Sequence, residues 1–290
     1  MARTSRLKKN ATGTAHYHLM SRANDRRFLF EKGRVKSSLI DALKRSASFS
    51  GIGLDAYAGM DNHFHVVCEV VRTGEPVPED ELIRRVAILK GDSAGAELAE
   101  RWRELRSAGL DDLVEADQNS LRRRMNDISE FMKTFKEVFN IRFKREQSYK
   151  GSIWSGRFKS TLIENGKYLE TCRRYVYLNP VRAGIVKHAA DYPWCWIAPS
   201  DGPSAGSVPG WAAVEARIMR RVVQIGEGKI FGSRGFVTDM VVALGDRFRS
   251  RSVAAREVDE LGYATYGWRL AKMAAKKSAS ATEMAEKGAA

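Results

Sequence analysis

Hydrophobic and polar positions along the chain change period several times, and each change marks an element. His16-Tyr17-His18-Leu19-Met20-Ser21-Arg22 alternates and predicts a strand. A polar turn (Ala23-Asn24-Asp25-Arg26) and the apolar Phe28-Leu29-Phe30 follow. Leu39, Ile40, Leu43 and Ala47 recur at helical spacing between Val35 and Phe49, and Gly51 and Gly53 end that helix. Leu54 to Gly59 predicts a second strand, and a turn at Met60-Asp61-Asn62 leads into a third, His63-Phe64-His65-Val66-Val67-Cys68-Glu69-Val70. A helix followed by a hairpin points to an α+β fold, a mainly antiparallel sheet with helices on one face.

The segment from 72 to 117 opens with Gly74, Pro76 and Pro78 and continues in acidic helical patterns, so it reads as an insert. A long helix is expected from Asn119 to Arg145, with Ile128, Phe131, Met132, Phe135, Val138, Phe139 and Phe143 as its apolar stripe. Lys159 to Glu164 predicts a fourth strand and Tyr168 to about Asn179 a helix that Pro180 should end. Six Pro and Gly residues fall within 199–210, which marks a linker after a first domain at 1–198. Beyond it a small helical module is expected at 211–271, and the Ala/Lys/Ser/Glu-rich tail at 272–290 is expected to be disordered.

Charge sharpens this division. The net charge is +14, but residues 1–50 hold 12 Lys/Arg against 3 Asp/Glu and residues 122–187 hold 16 against 6, whereas 74–117 hold 6 against 12. Two basic blocks around an acidic insert suggest a face for a polyanion, nucleic acid being the usual one. Three cysteines without paired spacing fit a reducing compartment, and no apolar run reaches the ~20 residues of a membrane span. A cytoplasmic location without a membrane partner is the expectation.

Residues two apart on a strand share a face, so His63 and His65 are neighbours while Phe64 points into a core. Two adjacent imidazoles can chelate a divalent cation, although an exposed strand face also tolerates a histidine pair. In Arg173-Arg174-Tyr175-Val176-Tyr177-Leu178-Asn179-Pro180, helical spacing stacks Tyr175 and Asn179 on one side. A tyrosine there is a packing residue or, helped by a cation, a nucleophile. The amide oxygen of Asn179 is a hard donor suited to Mg²⁺ or Mn²⁺.

Asn62-His63-Phe64-His65, Trp154-Ser155-Gly156-Arg157-Phe158-Lys159, Tyr175-Val176-Tyr177-Leu178-Asn179-Pro180-Val181-Arg182-Ala183-Gly184 and Tyr192-Pro193-Trp194 occur in one order. Together they resemble the REP-associated tyrosine transposase branch of the single-tyrosine HUH transposases, over roughly residues 14–197. His16-Tyr17-His18 with Ser21-Arg22 resembles that family's first strand. The resemblance implies a ferredoxin-like antiparallel sheet and a divalent metal, Mg²⁺ or Mn²⁺, held by His63 and His65 with Asn179 as third ligand. It implies Tyr175 as the nucleophile that cuts single-stranded hairpin DNA, leaving a 5′-phosphotyrosine and a free 3′-OH; Tyr177 points elsewhere on the helix. Arg22, Arg157, Lys159, Arg173, Arg174 and Arg182 are candidates for tracking the DNA backbone. Trp154 and Phe158 either stack on bases or form a core edge.

The chain departs from the family pattern at Asp61, where proline is frequent; the acidic residue either alters the turn or assists the metal from behind. Retention of both histidines, Tyr175 and Asn179 favours a cutting and rejoining enzyme. The alternative is a protein that kept the fold and binds hairpin DNA or RNA without cleaving. Monomer and dimer are equally compatible with the sequence.

Overall fold

A computed structural model describes residues 13–199, 215–216, 218–219, 230–243, 255–257 and 264–266 of the chain. Its centre is strand β1 (Gly13–Arg22), flanked by β3 (His63–Arg72) and β4 (Lys159–Ile163), both antiparallel to it. Strand β2 (Ile52–Gly59) pairs with the far side of β3, and β5 (Cys195–Ile197) pairs with β2. The order β2-β3-β1-β4, with every neighbour antiparallel, is that of a ferredoxin-like core. The fold is α+β.

Because β1 is covered on both faces, its two side-chain sets go to different layers. Tyr17 and Leu19 join Phe64, Val66, Cys68 and Leu162 in the larger core. Crossover helices α1 (Gly33–Ser50) and α5 (Ile128–Gln147) cover that face, supplying Leu39, Leu43, Phe131, Phe135, Phe139 and Phe143. Gly51, at φ 64°, closes α1 in the left-handed conformation that glycine adopts without a Cβ clash. The expectation of helices on one face holds for these two. Helix α6 (Lys167–Tyr177) is the addition: its Tyr168, Leu169, Cys172 and Val176 pack with Ala56, Ala58, Val67 and Ile163 on the opposite face.

Two expectations, the single helix 119–145 and the all-helical module, are corrected, and the helical character of the insert holds. The expected helix 119–145 is two helices. Asn119 belongs to α4 (Asp111–Arg122), Asn126 takes φ 50°, and the Asp127 carboxylate caps α5 by accepting from the N–H groups of Ser129 and Glu130. The acidic insert is α2 (Glu79–Lys90), α3 (Asp92–Ser107) and α4, which close their own core of Leu82, Val86, Leu89, Trp102 and Val114 against Phe49 of α1. The expected helical module at 211–271 contributes strands as well.

In that module β6 (Ile230–Gly232) lies parallel to β4, and β8 (Ala264–Tyr266) and β7 (Ala255–Glu257) extend the sheet. Ile218 and Phe231 are fully buried in the α6 layer. The Glu164 carboxylate accepts the backbone N–H of Ser233, just before helix α8 (Arg234–Ala243). The free edge of β4 explains the recruitment, since an unpaired strand edge favours another strand. Residues 200–210 of the linker and the tail 272–290 lie outside the described residues. No helix among the described residues is long and apolar enough to cross a membrane.

Candidate active site

The register of β1 against β3 puts Arg22 opposite His63, Met20 opposite His65 and His18 opposite Val67, all on the α6 face. A bulge in β2 between Leu54 and Ala56 then aligns Ala58 with His65 and Ala56 with Val67. Those small side chains let α6 lie close to the sheet, and its phase turns Tyr175 toward the histidines. The Tyr175 ring centroid is 6.0 Å from those of His18 and His65, edge-on to both. The His63 and His65 rings stand 4.9 Å apart and nearly perpendicular. Arg182, one turn beyond α6, holds its guanidinium 4.6 Å from the Tyr175 ring centre.

Each histidine is oriented by a neighbour. His63 Nδ1 lies 2.7 Å from the Asn62 side-chain oxygen, so this nitrogen carries the proton and Nε2 keeps its lone pair. Asn62 is itself fixed, because its amide donates to the carbonyl of Arg26 at 3.1 Å. His65 Nδ1 lies 2.8 Å from His18 Nε2, and these two rings stack 5.0 Å apart. Burial, helped by Lys159, lowers the pKa of His18 to about 4. Burial first and Arg22 second lower that of His63 to about 4, with Asp61 opposing. His65 is pushed well below the ordinary value by burial, then by His63 and His18. All three imidazoles are therefore neutral near pH 7, the protonation state in which the ring nitrogens can donate a lone pair.

Asn179 is buried at the start of the one-turn helix α7 (Asn179–Arg182), and its amide N–H donates to the Tyr175 carbonyl at 3.0 Å. That bond leaves its side-chain oxygen as the atom with metal-donor chemistry. Among the described residues, no group of three or more His, Cys, Asp or Glu is placed to hold a metal ion. The neutral imidazoles of His63 and His65 stand side by side as nitrogen donors, and an amide oxygen such as that of Asn179 is a hard donor of the kind Mg²⁺ or Mn²⁺ accepts. The Arg22 Nε is buried without a hydrogen-bond partner, on the sheet face that carries His63 and His65.

The other expected contacts divide sharply. Arg157 and Lys159 are exposed, and Arg22 and Arg182 border the histidine cluster. Arg173 and Arg174 are buried and engaged within the protein: Arg173 pairs with Glu170 and the Ala198 carbonyl, Arg174 with Glu170 and Glu215. Their arginine-rich spelling resembled a phosphate track, but their helix positions face β5 and residue 215 rather than the histidines. Trp154 and Phe158 belong to the large core. Trp154 packs among Phe30, Phe64, Phe135 and Phe139 and donates its indole N–H to Asn140 at 2.8 Å. Asp61 forms a 2.6 Å ion pair with the buried Lys36, which fixes the turn before His63. Tyr177 is half-buried and turned toward Cys195, and burial raises its phenol pKa.

The residue patterns did not single out His18 or Asn62 as site residues. The available signals were the second histidine of His16-Tyr17-His18 and the asparagine preceding the His-x-His pair.

No protein-family model matches the chain, and no curated protein matches it. Among solved structures it is similar to one described as a REP-associates tyrosine transposase bound to a REP hairpin. The similarity is 16% identity at a TM-score of 0.41, covering 66% of this chain and 81% of that chain.

Proposed function

We propose that the protein is a metal-dependent DNA strand transferase that cuts and rejoins single-stranded hairpin DNA through Tyr175. The observation that carries this reading is the meeting of a helix-borne tyrosine, an arginine over its ring and neutral histidines from two strands. A packing tyrosine would need none of the charge or the lone pairs around it. His63 and His65, with the side-chain oxygen of Asn179, are the residues that would hold Mg²⁺ or Mn²⁺. When bound there, such an ion polarises the phosphate oxygens.

The protein's own residues do the rest. Tyr175 Oη gives up its proton and attacks phosphorus; the bond from phosphorus to the 3′ oxygen breaks, and that oxygen takes a proton. The product is a 5′-phosphotyrosine and a free 3′-OH. Because the phosphodiester energy is kept in the new ester, attack by a 3′-OH reverses the step without ATP. Arg182 brings positive charge beside the developing phenolate, and Arg22 offers a guanidinium to the phosphate. Arg157 and Lys159 extend the basic track outward.

The test is incubation of the full chain with labelled hairpin DNA carrying single-stranded flanks and Mn²⁺, read as a covalent protein–DNA band. A band that needs the metal supports the proposal. Tight hairpin binding with no band under any divalent ion would leave a binding protein.

A further inference from the structure

The loop from Asn24 to Leu29 is held more firmly than an ordinary surface turn. The Ala23 N–H donates to the Asn62 carbonyl at 2.7 Å and the Asn24 N–H to the Ile153 carbonyl at 2.8 Å. The Phe30 N–H donates to the Asp61 carbonyl at 2.8 Å, and the Asn62 side chain donates to the Arg26 carbonyl. Within this clasp, Asp25 and Arg26 both take left-handed backbone conformations, φ 53° and 57°. Arginine seldom adopts that region, and strain of this kind persists where the surroundings impose it.

The clasp does not bury its aromatic residue. Phe30 is wholly buried against Phe139, Phe143 and Trp154, yet Phe28 is 65% exposed. The exposed residues flanking it are Asp25, Arg26 and Arg27 before and Glu31 and Lys32 after, and the exposed Arg157 lies on the loop whose Ile153 and Ser155 hydrogen-bond to Asn24 and Arg22. Arg27 lies 5.6 Å from the Tyr149 ring centre and donates to its hydroxyl at 3.2 Å, so this part of the rim is ordered. The same Asn62 that orients His63 holds the loop. The exposed ring is thus tied to the end of the sheet where the scissile phosphate would sit.

We propose that Phe28 is a stacking platform for one unpaired base flanking the cut site, with Arg26 and Arg27 on the adjoining phosphates. A lone exposed phenylalanine is unremarkable on most surfaces. A phenylalanine held out by a strained, hydrogen-bonded loop, directly after two exposed arginines and joined to a site histidine's partner, fits single-stranded nucleic acid, whose bases stack on any aromatic face. The inference rests on the DNA reading above and specifies where a base docks.

The experiment uses the full chain carrying Tyr175→Phe, which stops at binding, and a fluorescent DNA hairpin with single-stranded flanks. Each flanking nucleotide is replaced in turn by an abasic site. Phe28→Ala should weaken binding roughly 5- to 100-fold, Phe28→Trp should restore it, and the melting temperature should not move. One abasic position should weaken the Phe28 protein and leave the Phe28→Ala protein unchanged. Equal abasic penalties in both proteins, or unaltered binding by Phe28→Ala, overturn the proposal while leaving the cleavage reading intact. Failure of the parent chain to bind any single strand or form an adduct overturns both.

Discussion

Nε2 of His18 stands 2.8 Å from Nδ1 of His65, joining strands whose residues are 47 apart in sequence. With both rings neutral, one nitrogen donates and the other accepts. Only when His65 donates from Nδ1 does its Nε2 keep a lone pair for a cation, so the proposed site requires His18 Nε2 as the acceptor. His18→Ala should lower Mn²⁺ affinity about 10- to 100-fold by calorimetry on the DNA-free protein, and His18→Gln should recover part of the loss. Unchanged affinity in His18→Ala would remove the positioning role.

Asn62 does the same for His63 and also anchors the Arg26 carbonyl. Asn62→Ala should therefore weaken Mn²⁺ binding and loosen the Asn24–Leu29 loop together. Faster hydrogen exchange at the Ala23 and Asn24 amides, alongside weaker metal binding, is the expected pair of results. Loss of one without the other would separate the two functions.

Acid should destabilise the metal-free protein through this cluster. His18 and His63 have folded pKa values near 4, below the ordinary histidine value, so the unfolded chain binds protons more readily. Their contribution is complete above about pH 6.5 and is lost as pH falls toward about 4. Melting temperature against pH should drop across that window, and His18→Gln should flatten the drop. An identical pH profile in the variant would place the acid sensitivity elsewhere.

Trp154 should behave as a core residue. Its truncation to Ala removes an indole packed among four aromatic rings and its bond to Asn140, at a cost of roughly 3–5 kcal/mol. Denaturant unfolding should show that loss, while the folded fraction binds DNA with unaltered affinity. A variant of native stability with weak binding would restore the stacking role.

These cases show what a one-dimensional pattern carries. Local periodicity placed Phe64 opposite the histidines, because that follows from spacing within a strand; Tyr175 and Asn179, expected on one helix, fall in α6 and α7, joined by the Asn179 amide donating to the Tyr175 carbonyl. His18 depends on the register of β1 against β3, a non-local quantity that the strand's own residues do not encode. Arg173 and Arg174 read as candidates for the DNA backbone although Glu170 stands three and four residues before them; their other partners, Ala198 and Glu215, lie in later segments. Trp154 sits in a Gly-containing loop, where aromatic exposure and burial read alike. The break between α4 and α5 was masked by helix-compatible residues on both sides of Asp127.

The central claim is that Tyr175 makes the covalent bond. Successive helix residues turn about 100°, so Tyr177 points away from the face that carries Tyr175, and the rings around His18 and His65 meet Tyr175. The deciding measurement is mass-spectrometric mapping of the adduct formed with hairpin DNA and Mn²⁺, for the parent chain, Tyr175→Phe and Tyr177→Phe. The account predicts a nucleotide-modified peptide at Tyr175, none in Tyr175→Phe although that variant still binds DNA, and an adduct retained in Tyr177→Phe. An adduct mapped to Tyr177, or one that persists in Tyr175→Phe, would contradict it.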